Sequence, residues 1–188
     1  MSDPGQHGDE PSDPELISRW KAGDQRAAAA LVGRHADALA RFAASNWGAG
    51  LSHADIEELV QDTFVRAFGS LDGFRGESSF RTWLISIERR LMLDRRRAER
   101  RRPRESEITD DAAATEFDAL DDLLAREAAA RVRDAMSQLT PTQREVFVLR
   151  VNEGLSYREI AQAVDTTEGA ARVHYHNAMR AIKELLDA

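Results

Sequence analysis

Arginine is concentrated in one short part of the sequence. Residues 81–104 contain ten arginines and three acidic residues, a formal net charge of +7. The next segment, residues 105–127, contains nine acidic residues and one arginine, a net charge of −8. A helix face this rich in guanidinium groups suits a phosphate backbone, because each contact releases a condensed counterion. The net charge of −7 for the whole chain therefore conceals a basic segment, and this segment predicts binding to a polyanion. The alternative for residues 100–104 is a solvated basic helix end.

A second polar face lies earlier, on a helix predicted from about residue 53 to 68. Apolar residues recur on one side of this helix at i, i+3, i+4 spacing: Ile56, Leu59, Val60, Phe64 and Ala67. The other side carries Asp55, Glu58, Gln61, Asp62, Val65 and Arg66. Nothing nearby supplies a nucleophile, an oxyanion donor or a metal partner, so the pattern does not favour acid–base catalysis. For the charges alone, a solvated face is the usual explanation.

The end of the chain has the spacing of a helix-turn-helix. Thr140 and Ser156 each begin a capping box, and Thr167 can cap a last, longer helix. One small core can be shared by Ile160, Ala161, Val164, Ala171, Tyr175, Ala178 and Ile182. In such a motif the last helix enters the major groove, where Arg172 can pair with phosphate or guanine and Glu168 can accept from cytosine. The alternative is a helical hairpin that packs on a protein partner.

The histidines and the cysteine content give little indication of metal or redox chemistry. His174 and His176 are two residues apart on a helix, so their side chains point about 200° apart and cannot share a metal ion. We expect His35 and His53 at the surface or in capping roles. The chain has no cysteine, which excludes disulfides, thiolate zinc sites and thiol redox switches. No cofactor is expected.

Helical periodicity runs through nearly the whole chain, and no alternating strand pattern is present. The predicted fold class is all-α, with two small helical domains joined by an acidic linker. The predicted helices cover about residues 14–21, 25–47, 53–68, 79–102, 117–138, 141–154, 157–164 and 168–186. The predicted parts are a disordered tail (1–13), an N-terminal four-helix domain (14–102), the linker (103–116) and a C-terminal helix-turn-helix domain (117–188).

The fourth helix is expected to position the arginines. Its predicted core stripe is Phe80, Leu84, Ile87 and Leu91. Arg89 and Arg96 are seven residues apart and are expected to point away from that stripe. No apolar run approaches the ~20 residues of a membrane span. The first residues lack the pattern of a secretory signal, so we expect a cytoplasmic protein.

Three groups of residues together resemble bacterial RNA polymerase sigma factors of the extracytoplasmic-function group. Residues 55–68 (DIEELVQDTFVRAF) resemble the polymerase-binding helix of these proteins. Residues 74–84 (FRGESSFRTWL) resemble their promoter-melting loop and the helix that follows it. Residues 139–147 (LTPTQREVF) and 155–161 (LSYREIA) resemble their C-terminal DNA-binding domain. The likeness extends over about residues 13–186, and the ordered set is far more specific than any one motif.

The resemblance implies a protein that binds core RNA polymerase, directs it to promoters and melts the minus-ten region, with no catalytic residue and no metal. The polymerase contacts it implies are Asp55, Glu58, Gln61, Asp62, Val65 and Arg66. The implied minus-ten DNA contacts are Phe74, Arg75, Gly76, Ser78, Ser79, Arg89, Arg90, Arg96 and Arg97. The implied minus-thirty-five contacts are Ser156, Tyr157, Thr167, Glu168, Gly169, Arg172, His174, His176, Asn177 and Arg180. An anti-sigma protein is a further implied partner, and no membrane contact is implied.

The sequence departs from the family pattern at a few DNA-facing positions. Arg90 stands where the family often has asparagine. His174, Asn177 and Met179 stand where it usually has basic residues, so phosphate binding by the isolated domain should be weaker and less salt-dependent. The main alternative function is a helix-turn-helix regulator that never joins polymerase; a metal-dependent nuclease is a more remote one.

Overall fold

The computed structural model describes residues 10–47, 51–101 and 134–186. The predictions for the tail up to residue 9, for the linker at 103–116 and for a helix over 117–133 lie outside these residues. The described chain contains helices and no strand. The all-α fold class with two small helical domains is confirmed.

The helices follow the predicted boundaries closely. They are α1 (Asp13–Lys21), α2 (Gln25–Trp47), α3 (His53–Gly69), a 3₁₀ turn (Leu71–Gly73), α4 (Phe80–Arg101), α5 (Pro141–Val151), α6 (Tyr157–Val164) and α7 (Glu168–Leu186). Residues 134–138 are also helical. The largest difference is at the end of α5, which stops at Val151, three residues before the glycine that was expected to end it.

Side-chain caps fix where the helices begin. Ser12, Ser52, Thr140 and Ser156 each form a capping box with the residue three positions later. In the box at Ser52, the hydroxyl accepts a hydrogen bond from the Asp55 amide at 3.2 Å. Such a cap satisfies amide groups that the first helical turn leaves without a partner. The predicted capping boxes at Thr140 and Ser156 are confirmed.

The first of two compact units, described here from residue 10 to residue 37, contains a buried histidine. His35 is buried, and its Nε2 lies 2.9 Å from a carboxylate oxygen of Asp13. Arg34 donates to the other oxygen of Asp13 at 2.7 Å. The expectation of a surface or capping role for His35 was wrong. The ring can be buried because Asp13 provides a hydrogen-bond partner for its Nε2 atom. His53, in contrast, is exposed beside Glu57.

The second unit, whose described residues begin at 38, contains α3 and α4 packed on each other. Their buried residues are Leu59, Thr63, Phe64 and Ala67 on α3 and Phe80, Thr82, Leu84, Ile85, Ile87, Glu88 and Met92 on α4. The predicted stripe on α4 was wrong at Leu91, which is only half-buried. Glu88 is buried in its place, so the helix presents a slightly rotated face to the core.

The C-terminal part of this unit is the predicted helix-turn-helix. Helix α7 packs against α5 and α6. Of the predicted shared core, every residue is buried except Tyr175, which is half-buried. Asp165 ends α6 with φ +56°, the left-handed conformation that a tight turn requires. Helix α6 also packs against α4, so the helix-turn-helix contacts the arginine-bearing helix directly.

Candidate nucleic-acid interface

An aromatic cluster supports the loop before α4. The ring centroid of Phe74 lies 5.5 Å from that of Phe80 and 5.1 Å from that of Trp83. Gly76 has φ +72°, a conformation that a side chain would strain. The loop borders an open cleft of about 240 Å³ whose lining includes Phe74, Arg75, Ser78, Trp83 and Arg90. Aromatic rings and guanidinium planes are surfaces on which unstacked bases can stack.

The arginines of α4 do not form one uniform exposed face. Arg90 and Arg97 are exposed, as is Arg75 in the loop. Arg89 has an 18% exposed side chain, and its Nε donates to Glu145 at 2.9 Å. Arg89 was expected to point away from the core stripe toward DNA, and in the structure a carboxylate of the helix-turn-helix domain covers it.

Arg96, which was also expected to point away from the core stripe toward DNA, makes a contact within the protein. Its guanidinium donates to the backbone carbonyl oxygen of Asn46, near the end of α2. Helix C-termini leave carbonyl groups without a partner inside the helix, and an arginine there satisfies them and complements the helix dipole. Arg96 therefore links α4 to the end of α2 through this hydrogen bond.

Arg172 is held in one orientation on the recognition helix α7. Its guanidinium donates to Glu168 at 2.7 Å and lies 4.9 Å from the centre of the Tyr157 ring. Arg150 stacks on the same ring at 4.9 Å, and Tyr175 meets it edge-on at 5.9 Å. Tyr157 is thus half-buried between two cations and positions Arg172 rather than reaching outward itself.

The other predicted contacts of this domain differ in exposure. Ser156 and Thr167 both cap helices, since their hydroxyl groups accept from the Glu159 and Ala170 amides. The exposed members of the set are these two caps together with Glu168, Gly169, Arg172, His176 and Arg180. His174 and Asn177 are half-buried. The exposed side chains of α7 thus include Arg172, His176 and Arg180. Two other predicted contacts, Ser156 and Thr167, are helix caps.

The polar face of α3 is exposed around an apolar residue. Val65 is 66% exposed. Gln61 and Arg66 are exposed beside it, and Asp62 accepts from Arg95 of α4 at 2.8 Å. Asp55 is occupied in its capping box, where the hydrogen bonds from Ser52 lower the pKa of its carboxyl. A single exposed valine is common at protein surfaces, so the interpretation of this face as a protein-binding one comes from the family resemblance and not from the exposure itself.

Comparison with known proteins places these features in one family. The family model of sigma-70 region 2 matches residues 31–102, and that of sigma-70 region 4 matches residues 129–182. The sigma factor NccH of Alcaligenes xylosoxydans xylosoxydans is 32% identical over 95% of this chain and 97% of its own length. The chain belongs to the extracytoplasmic-function sigma factors.

Other sigma factors support the assignment. The sigma-E factor of Haemophilus influenzae is 31% identical over 92% of this chain and 94% of its own. The structure is similar to that of CnrH in complex with the cytosolic domain of CnrY, with a TM-score of 0.69 and 31% identity over 94% of this chain and 98% of that one. It is also similar to RpoE of Bartonella quintana in complex with the anti-sigma factor NepR, with a TM-score of 0.62 and 25% identity over 84% and 95%.

This sigma factor directs RNA polymerase to promoters, so the alternative of a regulator that never joins polymerase falls away. In the described part of the chain no helix is long and apolar enough to cross a membrane. The described residues likewise contain no cluster of three or more side chains suited to a metal ion.

Sequence reasoning missed two functional candidates, Glu145 and Glu153. Both carboxylates are buried and pair with arginines of α2 and α4. For Glu145 a signal existed: it is three and four residues before the buried Val148 and Leu149, so it lies on the apolar face of α5. Glu153 lies in the turn after α5, where no periodicity could reveal its burial.

Proposed function

We propose that this sigma factor contacts its promoter through two separate surfaces and its polymerase through a third. The minus-ten surface is the loop at residues 74–79 with the exposed arginines of α4. The minus-thirty-five surface is the exposed side of α7. The polymerase surface is the exposed face of α3 around Val65. The observation that carries the proposal is the aromatic-backed cleft that opens beside Arg75 and Arg90.

Melting requires bases that leave the stack to be held in place, and each such base costs a few kcal/mol. The cleft offers the rings of Phe74 and Trp83 on one side and guanidinium groups on the other. Arg97 continues the positive charge along α4 for the phosphate backbone. The protein itself forms and breaks no covalent bond in this scheme, because RNA synthesis belongs to polymerase.

The minus-thirty-five element would be read as intact duplex. Arg172, already oriented by Glu168 and Tyr157, loses little conformational entropy on pairing with a guanine or a phosphate. His176 and Arg180 are exposed on the same helix and can add further contacts. We infer that the protein acts in the cytoplasm, where polymerase and chromosomal DNA are found.

An inhibitory protein partner is part of the same proposal. The similar structures of CnrH and RpoE are complexes with CnrY and with the anti-sigma factor NepR. A comparable inhibitor of this chain would compete with polymerase or DNA for its surfaces. Because the chain has no cysteine, it cannot itself be the thiol sensor of such a pair.

Run-off transcription tests the proposal. Purified core polymerase and this protein are incubated with fragmented genomic DNA, and the transcripts are sequenced to find shared upstream elements. We expect defined start sites that require the protein. The absence of any such start site would overturn the proposed function.

Substitution of two exposed arginines of α4 tests the minus-ten surface. Arg90→Ala with Arg97→Ala should reduce promoter opening by at least about tenfold, since each lost phosphate or base contact contributes roughly 1 kcal/mol or more. Opening is followed by permanganate reactivity of thymines at a mapped promoter. The control is Arg19→Ala with Arg26→Ala, which removes the same charge from exposed positions elsewhere. Equal loss of opening in both double variants would contradict the assignment.

A further inference from the structure

One side of helix α7 faces away from the core of the helix-turn-helix domain. The buried residues of this helix include Ala171, Ala178 and Ile182. Successive residues of an α-helix are rotated by about 100°, so Val173, nine residues before Ile182, points about 180° away from it. Val173 therefore lies at the centre of the outward side of α7, and it is 58% exposed.

The residues next to Val173 on this side are not charged arginine, lysine or carboxylate residues. Gly169 and Ala170 lie four and three residues before it, and His176 and Asn177 lie three and four residues after it. A Cβ atom added at Gly169 would meet nothing within 4 Å, and the φ of this glycine is not positive. Glycine is less favourable than alanine in a helix. Neither crowding nor backbone conformation in the described chain requires a glycine here, and its small size leaves room for another molecule to approach the first turns of α7.

The charged groups of α7 lie around this apolar centre. Arg172 is held to one side by Glu168 and by the ring of Tyr157. Arg180 is exposed about two turns after Val173. When the outward side of α7 lies in a major groove, these cations reach the margins of the contact and Val173 faces the edges of the bases.

The chemistry of the major groove determines what an exposed valine can contact there. Of the groups that distinguish the base pairs in this groove, only the C5 methyl group of thymine is apolar. The others are hydrogen-bond donors and acceptors, and an apolar side chain would cover them without offering a partner, which is unfavourable. The two γ-methyl groups of Val173 therefore fit thymine better than any other base.

We propose that Val173 is a specificity-determining residue that packs on the C5 methyl group of a thymine in the minus-thirty-five element. The inference rests on the proposed function, because it names the chemical group that the minus-thirty-five surface reads. Exposed valines are ordinary in themselves. What distinguishes Val173 is its place at the centre of the outward side of the recognition helix, opposite the buried Ile182.

Substitution of thymine by deoxyuridine tests this contact, because the two bases differ only by the C5 methyl group. In a promoter mapped by run-off transcription, each thymine of the minus-thirty-five element is replaced in turn, on either strand. Holoenzyme is assembled from core polymerase and the full-length protein, and its affinity for each duplex is measured by competition. We expect one position at which deoxyuridine weakens binding by about fourfold, the effect expected for loss of one buried methyl group.

The Val173→Ala variant links that position to the protein. It removes two methyl groups from an exposed helical residue, and alanine favours a helix more than valine does, so the variant should fold. Its holoenzyme should bind the thymine promoter about fourfold more weakly than the wild type and should no longer distinguish thymine from deoxyuridine. Such non-additivity between a change in the protein and a change in the base is expected only for groups in contact.

The matched control is Val151→Ala, the same substitution at a 51% exposed valine at the end of α5. This variant should keep the fourfold preference for thymine. The inference is refuted if no thymine of the element is sensitive to loss of its methyl group, or if Val173→Ala keeps the preference. Both results leave the start sites made by the wild type in place, so the proposed function survives them. If no start site requires the protein, the proposed function fails first, and the role of Val173 fails with it.

Discussion

Glu88 is the least expected side chain of the N-terminal domain. It is 0% exposed on α4, and neither carboxylate oxygen has a hydrogen-bond partner among the described residues. The Oδ1 atom of the buried Asn46 also lacks one. Burial raises the pKa of Glu88 well above its usual value, because the ionised form is poorly solvated there. The carboxyl therefore remains protonated at pH values where an exposed glutamate is ionised.

The raised pKa predicts a specific pH dependence of stability. The folded state binds the Glu88 proton more tightly than the unfolded state, so this group favours folding below about pH 4.5, the ordinary glutamate pKa. That advantage is lost as pH rises through the folded-state pKa. The Glu88→Gln variant has a side chain of nearly the same shape that cannot ionise. It should therefore raise the free energy of unfolding at pH 8 by about 1–3 kcal/mol.

Urea unfolding of both proteins at pH 4.5 and pH 8 checks this expectation. The difference between Glu88→Gln and the wild type should be larger at the higher pH. Glu57→Gln, at an exposed position, should show a difference within about 0.5 kcal/mol at both. A difference for Glu88→Gln that does not change with pH would contradict the burial of an ionisable group.

At the scale of elements, local sequence signals predicted most of the helices and not the contacts between them. Thr140 and Ser156 predicted helix starts, because capping depends on residues only three positions apart. The burial of Glu145 and Arg89 depends on a partner 56 residues away, which no local pattern encodes. His35 was misplaced for the same reason, since Asp13 lies 22 residues earlier.

Helix α3 offers a sharp test of the polymerase surface. Val65→Asp places a charge at its exposed apolar centre and should weaken binding to core polymerase by at least about tenfold, or 1.4 kcal/mol. The free energy of unfolding of this variant should change by less than about 0.5 kcal/mol, because residue 65 is at the surface. Binding is measured by fluorescence anisotropy of the labelled sigma factor.

A second exposed valine serves as the control. Val151, at the end of α5, is 51% exposed and lies outside the proposed surface. Val151→Asp should bind polymerase as the wild type does. Comparable losses with both substitutions would show that added negative charge, and not the position on α3, weakens binding.

At the scale of the whole molecule, the net charge and the ion pairs within the chain act in the same direction. The chain carries a net charge of −7, and Arg81 and Arg89 are already paired with carboxylates. Both features oppose binding of the free protein to a polyanion. We expect the free protein to bind a mapped promoter duplex at least about 100-fold more weakly than the holoenzyme does, a difference of roughly 2.7 kcal/mol.

Gel-shift titrations at one fixed salt concentration measure this ratio. A duplex of scrambled sequence is the control, and the free protein should distinguish it poorly from the promoter. Tight and sequence-specific binding of the promoter by the free protein would contradict the expectation.

The pairing of Arg89 and Arg81 within the chain has a consequence for the bacterial nucleoid. A genome offers millions of non-specific sites, and exposed basic surfaces become distributed over them. A molecule whose cations are already neutralised remains in the diffusing pool instead, where core enzyme can capture it. Capture by core enzyme then does not have to wait for release of the molecule from bulk chromosome.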